Sequence, residues 1–449
     1  MNSLLAEFAK FMWGPWLLVL LLGTGAWLSI RLGGIQIRRL AYAFRLTFSK
    51  EREGKGDISH FGSLMTALAA TVGMGNIAGV STAVALGGPG AIFWMWITGL
   101  VGMATKYSEA YLAVKYRHIN ERGEISGGPM YYLEYGLGQK WLGICFATFG
   151  ALAAFGIGNM IQSNTTAHAL SETLGTSKFL VGITLALLTS MVIIGGIKRI
   201  ADVASYFVPL MVVIYFIGAL VVILKNLSHL ASGTILIFEH AFSGTAATGG
   251  FVGATLTQTI RYGVARGLFS NESGMGSAPI AAAAAKTNHP GKQALVSMTG
   301  TFLDTLVICS LTALAISSSG VWVSGETGVA LTIQAFSSGL SGNWGNIIVS
   351  LSAVTFGFSS ILAWEYYGEK CFEYLFKGKL IPFYRYVWVI FVLIGALFKL
   401  EMVWNFSDAM NALMAVPNLI GLILLGGILS RETQTFEVGI RKGTINKFD

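Results

Sequence analysis

The chain has 449 residues, of which 54% are hydrophobic and only 12% are charged. Because an ordinary soluble domain carries about 25% charged residues, this composition excludes a soluble enzyme, a disordered chain and a collagen-like fibre. The formal net charge of +8 is compatible with nucleic acid or anionic lipid as a partner, so the positions of the charges must decide. Three cysteines lie far apart, without metal-ligand spacing, and predict no disulfide framework.

Eleven apolar runs are long enough to cross a bilayer, which needs about 20 residues per helix. In chain order the runs are 13–32, 60–86, 90–117, 140–170, 178–197, 203–225, 250–285, 291–318, 342–370, 381–399 and 408–429. The longest polar stretch, 33–59, is too short for a soluble domain. The sequence therefore predicts an all-α polytopic membrane protein with eleven transmembrane helices.

The basic residues predict how these helices are oriented. If the runs alternate across the bilayer, 23 of the 30 Lys and Arg fall on one face, four on the other and three inside the runs. Cytoplasmic loops carry an excess of Lys and Arg, so we predict an outside N-terminus and a cytoplasmic C-terminus in the cell membrane. The loops then account for the positive charge beside membrane lipid, and a nucleic-acid partner is unnecessary.

Without the first run, the other ten divide into two sets of five, 60–225 and 250–429. Because five is odd, the second set must cross the membrane in the opposite sense to the first, as in an inverted repeat. The other segments are predicted to be an additional N-terminal helix with a basic cytoplasmic loop at 1–59, an extracellular connection at 226–249 and a cytoplasmic tail at 430–449.

Each half opens with an interrupted apolar run. The segments Thr71–Gly79 and Gly267–Ser277 place glycines and polar residues about midway through their runs. An unwound backbone survives in lipid only where it is buried in protein or lines a cavity, and paired interruptions indicate a transporter's binding site. Half-helix N-termini suit an anion, and unwound carbonyls with nearby hydroxyls suit Na⁺. Close helix packing is the alternative explanation for each glycine run.

Three motifs resemble those of a known family. Gly267–Pro279 reads GLFSNESGMGSAP, Gly73–Val80 reads GMGNIAGV, and Ser126–Glu134 reads SGGPMYYLE. They resemble the alanine/glycine:cation symporter family, and the likeness covers nearly the whole chain. It implies a fold similar to the bacterial leucine transporter, with a five-plus-five inverted repeat, a discontinuous first helix in each repeat and one additional helix. It also implies sodium-coupled import of small neutral amino acids, with Na⁺ as the coupling ion and no organic cofactor.

The same resemblance assigns residues to a substrate site. The amides of Met74 and Gly75 would bind the substrate carboxylate, and the Phe269 ring would cover the substrate, while Thr71 and Asn76 would lie at one sodium site. The full predicted substrate-binding set is Thr71, Gly73, Met74, Gly75, Asn76, Gln162, Phe269, Ser270, Asn271, Glu272 and Trp364. For Gln162 a hydrogen bond between helices, and for Trp364 ordinary packing, remain the alternatives.

A second sodium site is implied by carbonyls of the first broken helix and hydroxyls of the eighth core helix. The matching positions are Ala69, Val72, Phe356, Ser359 and Ser360, with Thr355 as a rival ligand because the register of this helix can shift by one turn. Adjacent hydroxyls are weak support alone, since Ser and Thr are common at membrane helix interfaces. The segment 326–340 lies where the resembled fold has an extracellular lid.

Glu272 departs from the general fold pattern, which often has neutral residues at the second break. An acid at membrane depth is costly and indicates function. It would accept the substrate ammonium, take part in cation coupling or carry a proton. The alternative is an internal ion pair with Arg266 or Arg261.

Four further ionisable residues fall in or beside the apolar runs. Asp304 would approach the first cation region or pair with another span. Lys106, Glu109 and Arg117 are explained by snorkelling, in which a long side chain extends from a helix end to the cytoplasmic surface.

Other functions were weighed against symport. The sequence has no Walker-type phosphate loop for ATP and no His pair with metal-ligand spacing, so neither direct ATP coupling nor an enzyme is predicted. A passive channel would expose a filter built by oligomeric repetition or rings of charge, whereas this chain carries two dissimilar breaks in one subunit. A proton-coupled amino-acid symporter remains the alternative. Alanine and glycine are not distinguished, because one methyl group contributes only about 1–3 kcal/mol.

Overall fold

The computed structural model describes residues 2–49, 54–120, 122–398 and 400–445. Four of the basic residues in the predicted charge asymmetry, Lys50, Arg52, Lys399 and Lys447, lie outside these ranges. The described chain is almost entirely helical, and its one small sheet is a short hairpin.

The N-terminal part leads to the first broken helix. It comprises α1 (Asn2–Met12), α2 (Pro15–Arg31), α3 (Ile35–Arg38) and α4 (Leu40–Thr47). Helix α5 (His60–Thr71) begins where the Ser59 side chain accepts a hydrogen bond from the Gly62 amide. After the break come a π-helical turn (Gly75–Gly79) and α6 (Val80–Gly87), and the chain bends by 49° between α5 and this second piece.

The next elements complete the first half. They are α7 (Ala91–Lys115), the antiparallel hairpin of β1 (His118–Ile119) and β2 (Ile125–Ser126), α8 (Pro129–Tyr131) with a π-helical turn (Tyr132–Gly136), α9 (Lys140–Ala153), a π-helical segment (Ala154–Met160), α10 (Ile161–Leu174), α11 (Lys178–Ile193) and α12 (Gly196–Lys225). In the hairpin His118 lies opposite Ser126. Helix α13 (Leu227–Ser243) then occupies the predicted connection.

The second half opens with the other break. Its elements are α14 (Leu256–Asn271), α15 (Pro279–Ala283), α16 (Pro290–Thr301), a π-helical segment (Phe302–Cys309), α17 (Ser310–Ser319), a short 3₁₀ turn (Val321–Val323), α18 (Gly328–Gly339), α19 (Trp344–Phe376), α20 (Ile381–Leu397) and α21 (Leu400–Lys442). Helix α18 falls on the segment proposed as a lid. Helix α21 continues well past the predicted span, and Glu437 near its end binds Arg38 and Arg39 at the end of α3.

Several helices are suited to a bilayer by length and composition. Within the described residues six stretches qualify: Leu5–Arg31, Lys140–Ser171, Gly196–Lys225, Pro290–Ser319, Trp344–Phe376 and Glu401–Lys442. The bent pair His60–Thr71 and Gly75–Gly87 makes a seventh if it is one span. Helices α11 and α20 are apolar but shorter. The protein is therefore a multi-pass membrane protein, as the composition predicted.

Helix packing brings the two breaks together in the centre. Helix α7 packs along α14, α16 and α2, while α19 packs against α5, α10 and α12. The π-helical turn after the first break contacts α14 and the π-helical segment before α17. Polar residues of both breaks are consequently surrounded by helices rather than by lipid.

Candidate functional site

The first break leaves two backbone amides without an acceptor. Helix α5 ends at Thr71, and the Gly73 amide donates to Asn76 Oδ1 at 2.9 Å while the Asn76 amide donates to the Gly73 carbonyl at 3.2 Å. The amides of Met74 and Gly75 have no hydrogen-bond acceptor among the described residues, and both residues are buried. Free N–H groups at the N-terminus of a half-helix form a binding site for an anion.

Asp304 joins the first break to the second. Its Oδ1 accepts from Asn76 Nδ2 at 2.7 Å, and its Oδ2 accepts from the hydroxyls of Ser270 at 3.0 Å and Thr305 at 2.8 Å. The two broken helices also touch directly, since a Cβ added to Gly75 would lie 2.9 Å from Ser270 Cα. The sequence placed Asp304 near this region as one of two options. Only the contacts show that it is central.

The hydroxyls of α19 lie against carbonyls of α5. Ser359 Oγ is 3.3 Å from the Ala69 carbonyl and 3.0 Å from the Phe356 carbonyl, and Ser360 Oγ is 3.3 Å from the Ala70 carbonyl. Ala70 was not among the predicted oxygen donors. Buried oxygen atoms from two helices meet here without a carboxylate, which suits a hard monovalent cation.

The remaining residues of the predicted sodium set lie at or away from this cluster. Val72 is buried directly after α5 and has extended ψ of 86°, which begins the unwound segment. The Thr355 hydroxyl hydrogen-bonds to the Leu351 and Ser352 carbonyls of its own helix. The structure therefore does not bring Thr355 to the carbonyls of α5.

Gln162 faces the first break from the third core span. A Cβ added to Gly73 would lie 3.6 Å from Gln162 Oε1 and 2.7 Å from Ser360 Oγ. Gln162 Nε2 donates to the Ile157 carbonyl of its own span at 2.9 Å, whereas Oε1 is buried without a partner among the described residues. A buried acceptor without a donor beside an unwound backbone is free to receive a ligand's N–H group.

The second break turns sharply through left-handed backbone. Helix α14 ends at Asn271, and Glu272 has φ of +56°, a conformation that is uncommon for a residue with a side chain. Gly274 and Gly276 follow with φ of +88° and +84°. The Asn271 side chain holds the turn, because Oδ1 accepts from the Ser273 amide at 2.9 Å and Nδ2 donates to the Thr305 hydroxyl at 3.1 Å.

A buried carboxylate of α7 occupies the amides of this second break. Glu109 Oε1 accepts from the amides of Gly274 at 3.1 Å and Gly276 at 3.0 Å, and from Asn418 Nδ2 at 2.6 Å. The snorkelling explanation for Lys106, Glu109 and Arg117 is therefore wrong. Both side chains are buried, and Glu109 supplies the acceptor that the unwound backbone of the second break needs.

Arg117 is bound to backbone as well. Its guanidinium donates to the carbonyls of Ala283 and Ala285, at 3.0 and 2.8 Å, where the second broken helix ends. Such contacts satisfy the free carbonyls that every helix C-terminus leaves.

Glu272 is held by Trp364 and Ser277. Trp364 Nε1 donates to Oε1 at 3.0 Å, and the Ser277 hydroxyl donates to Oε2 at 2.6 Å. The alternative interpretation of Glu272, an ion pair with Arg266 or Arg261, is not what the structure shows. Trp364 also packs so tightly on Gly158 that a Cβ there would lie 2.0 Å from the Trp364 Cβ.

The two arginines of α14 instead contact aromatic rings. The Arg266 guanidinium lies 5.8 Å from the Phe269 ring centre and 5.1 Å from that of Trp404, and Arg261 lies 5.9 Å from Tyr262. Phe269 and Trp404 pack with 5.1 Å between their centres. Phe269 is thus supported from the side of Arg266 and Trp404.

Three buried carboxyl groups lie around one buried ammonium group in the centre of the molecule. The Lys106 ammonium interacts electrostatically with the carboxylates of Glu109, Glu272 and Asp304. Its Nζ has no hydrogen-bond partner among the described residues. The three carboxyl groups place oxygen atoms, the ligand type that hard cations prefer, around this ammonium.

Comparison with known proteins shows the family and the fold. The model of the sodium:alanine symporter family matches residues 1–449. The chain is 51% identical to the sodium/alanine symporter AgcS of Methanococcus maripaludis, with 97% of each chain covered. It is 39% identical to the probable sodium/glutamine symporter GlnT of Bacillus subtilis, with 93% of this chain and 87% of that one covered.

Among solved structures the chain is similar to that of MhsT in complex with L-phenylalanine. The TM-score is 0.59 at 15% sequence identity, with 84% of this chain and 90% of that chain covered. At this identity the likeness shows a shared transporter fold, as the motifs implied. With the family model covering the whole sequence, the chain belongs to the sodium:alanine symporter family.

Proposed function

We propose that this sodium:alanine symporter imports alanine and other small neutral amino acids together with Na⁺ by alternating access. The observation that carries the proposal is the pair of free amides at Met74 and Gly75 beside the Asp304 carboxylate. A positive half-helix end and a buried acid, joined through Asn76, suit the two charges of a zwitterion.

In this proposal the amides of Met74 and Gly75 bind the substrate carboxylate. The ammonium is received by acceptors around the breaks, of which Gln162 Oε1 is unpartnered and Asp304 is charged. Thr71, Gly73, Asn76, Ser270 and Asn271 line the junction of the two breaks. Phe269 covers the site, and close contact between Gly75 and Ser270 keeps it small enough to favour hydrogen or methyl side chains.

Glu272 and Trp364 act together at the second break. Their hydrogen bond connects α14 to α19, the helix that carries the proposed sodium ligands. Glu272→Gln removes the charge and is expected to abolish sodium-coupled uptake. Wild-type uptake by a folded Glu272→Gln protein would contradict a role for the carboxylate.

Na⁺ is proposed to bind where α5 and α19 meet. The ligands would be the carbonyls of Ala69, Val72 and Phe356 and the hydroxyls of Ser359 and Ser360, and the 3.3 Å separation of Ser359 Oγ from the Ala69 carbonyl supports this set. A cation here would hold the two helices together, so that sodium and substrate each favour the same closed state. A further cation is proposed near Thr71, Asn76 and Asp304, where the buried Asp304 side chain next to Asn76 offers carboxyl oxygen atoms.

The architecture proposed for this transport has eleven spans. The six qualifying stretches and the bent pair are joined by α7, α11, α20 and the broken α14 with α15. The repeats would be 60–225 and 250–429, after the additional helix and loop at 1–59. The segment 226–249 would be extracellular and the tail at 430–449 cytoplasmic, with the N-terminus outside, as the basic residues favour.

Labelled alanine uptake into proteoliposomes tests the proposal. An inward sodium gradient should drive saturable uptake that unlabelled glycine reduces. Unlabelled glutamine, which has a larger side chain, is the comparison competitor. A matched set of vesicles with a proton gradient and no sodium tests the alternative of proton coupling.

The possible results separate the alternatives. Uptake that follows the proton gradient alone would indicate that the buried acids, rather than the proposed sodium ligands of α5 and α19, carry the coupling. A flux that does not saturate would favour a passive channel. Stronger competition by glutamine than by glycine would contradict the small site.

A further inference from the structure

Two buried carboxyl groups of α19 lie beside a single guanidinium from the first turns of α20. Glu365 and Glu369 are one helical turn apart, and their side chains are 0% and 4% exposed. Arg385 binds Glu369 through Nε at 2.6 Å and Nη2 at 3.1 Å, and its Nη1 donates to the Ile194 carbonyl at 3.3 Å. Three of the five N–H groups of the guanidinium therefore donate to groups other than Glu365.

Glu365 receives no hydrogen bond. Neither of its carboxyl oxygens has a partner among the described residues, and Arg385 Nε is 3.8 Å from Oε1. The next cation along the helix, Lys370, is bound to Glu124 at 3.3 Å and Glu373 at 3.0 Å. The nearby Tyr384 hydroxyl is buried but does not donate to the acid.

Charge balance at this cluster requires one more positive charge. Arg385 hydrogen-bonds to Glu369 and lies 3.8 Å from Glu365, so two ionised carboxylates would share one guanidinium, and the buried net negative charge would cost several kcal/mol. A buried acid in this position binds a proton instead, and two adjacent carboxyl groups then share it. Glu365 lies beside Glu369 and can donate the shared proton to it.

We propose that Glu365 is a proton-binding site that links pH to transport and is separate from the substrate and sodium residues. When Glu365 is protonated, α20 packs closely on α19. When it is ionised, two carboxylates repel each other around one guanidinium, and water must enter between the helices. Low pH therefore stabilises the packed arrangement and high pH opposes it.

The position of Glu365 connects this proton to the transport machinery. Glu365 directly follows Trp364, which donates to Glu272, and it lies about one and a half turns after Ser359 and Ser360. A change in the packing of α19 on α20 would displace all three residues. Arg385, which lies beside both acids, has a side chain that is 22% exposed and so brings the cluster into contact with the surface.

The test uses the full-length protein and the variants Glu365→Gln and Glu326→Gln. Gln keeps the size of Glu365 without its titration, and Glu326 is an exposed acid in a loop that serves as the control. Infrared spectra should show a protonated carboxylic acid in wild type and Glu326→Gln that disappears as pH rises. The same signal should be missing from Glu365→Gln.

Sodium-driven uptake should follow the same titration. In wild type and Glu326→Gln it is expected to fall with rising pH, approaching tenfold per pH unit for a single proton. Glu365→Gln should retain uptake with a flat profile over this range. A Glu365→Gln protein with the wild-type infrared signal and the wild-type pH profile would overturn the proposal.

Glu369→Gln provides a second variant if Glu365→Gln fails to fold. It leaves one carboxylate for one guanidinium, so Glu365 should ionise and the infrared signal should again be lost. Persistence of the signal in Glu369→Gln would overturn the proposal. Because the infrared measurement does not depend on uptake, absence of alanine transport in wild type would contradict the proposed substrate and leave the proton site to be judged separately.

Discussion

Both breaks combine glycines with polar residues, but their backbone amides are bound in opposite ways. At the first break the amides of Met74 and Gly75 have no acceptor among the described residues. At the second break the amides of Gly274 and Gly276 both donate to the Glu109 carboxylate. A resident acid thus occupies at the second break the place that a ligand's carboxylate can take at the first.

This difference indicates a division of roles. The first break can bind an anion because no described residue accepts a hydrogen bond from the Met74 or Gly75 amide. The second break is anchored to α7 through Glu109 and to α19 through the hydrogen bond from Trp364 to Glu272. In the proposed function it positions Ser270 and Phe269, while the first break binds the substrate carboxylate. The following predictions test that division, from the largest effect to the smallest.

Replacing Asp304 should have the largest effect. Asp304→Ala removes the acceptor for Asn76, Ser270 and Thr305, and hydrogen bonds to charged groups contribute about 1.5–3 kcal/mol each. Since 1.4 kcal/mol is a factor of ten, sodium-driven alanine uptake should fall by about 100-fold or more. Asp304→Asn keeps the size of the side chain and removes its charge, so it shows which of the two matters. Near-normal uptake by Asp304→Ala would show that Asp304 has no role in the site.

Replacing Glu109 tests the anchored break. Glu109→Ala leaves the amides of Gly274 and Gly276 without an acceptor, at a cost of about 1–3 kcal/mol each. The melting temperature should therefore fall, and uptake should decrease by about tenfold or more. Glu109→Gln retains one acceptor oxygen and should be much closer to wild type in the melting temperature. Equal loss in both variants would show that charge, rather than hydrogen bonding, is what this break requires.

Ser359→Ala should weaken sodium binding without changing the first break. Loss of one hydroxyl ligand is expected to raise the sodium concentration for half-maximal uptake by about tenfold, corresponding to roughly 1.4 kcal/mol. Thr355→Ala is the matched control, because the Thr355 hydroxyl bonds to its own helix. If Thr355→Ala instead gave the larger shift, the proposed sodium ligands would be in the wrong register.

Arg266→Gln should have the smallest effect. It removes the cation beside the Phe269 and Trp404 rings, an interaction that contributes about 0.5–1 kcal/mol. The alanine KM should rise by about threefold while kcat changes little, because Phe269 covers the site but does not carry the coupling. A loss as large as that in Asp304→Ala would show that Arg266 belongs to the charged centre.

Part of the site follows directly from local sequence. The glycines and Asn76 predict the first break, because an unwound segment at membrane depth needs a flexible backbone and a polar side chain nearby. The match to a family pattern predicted Ser359 and Ser360 as sodium ligands, with Thr355 as the rival. In the structure the hydroxyls of Ser359 and Ser360 contact carbonyls of α5, whereas the Thr355 hydroxyl does not. The motifs also predicted the family, which the comparison confirmed.

Other residues carry no local signal for their role. Glu109 reads as an ordinary charge near a helix end, and only the packing of α7 on the second break shows which amides it binds. Asp304 had two open interpretations for the same reason. A hydrogen bond between residues over 150 positions apart depends on the relative placement of whole helices, and hydropathy does not specify it.

The sequence by itself determined that this is a membrane protein. It also provided eleven apolar runs, of which two are interrupted by glycines and polar residues. Those features depend on composition and spacing, because lipid demands long apolar helices whose backbone groups are satisfied internally. The tertiary structure alone decided which break keeps its amides free and which acid occupies the other. Buried charges find their partners through helix packing, and packing brings together residues that are distant in the chain.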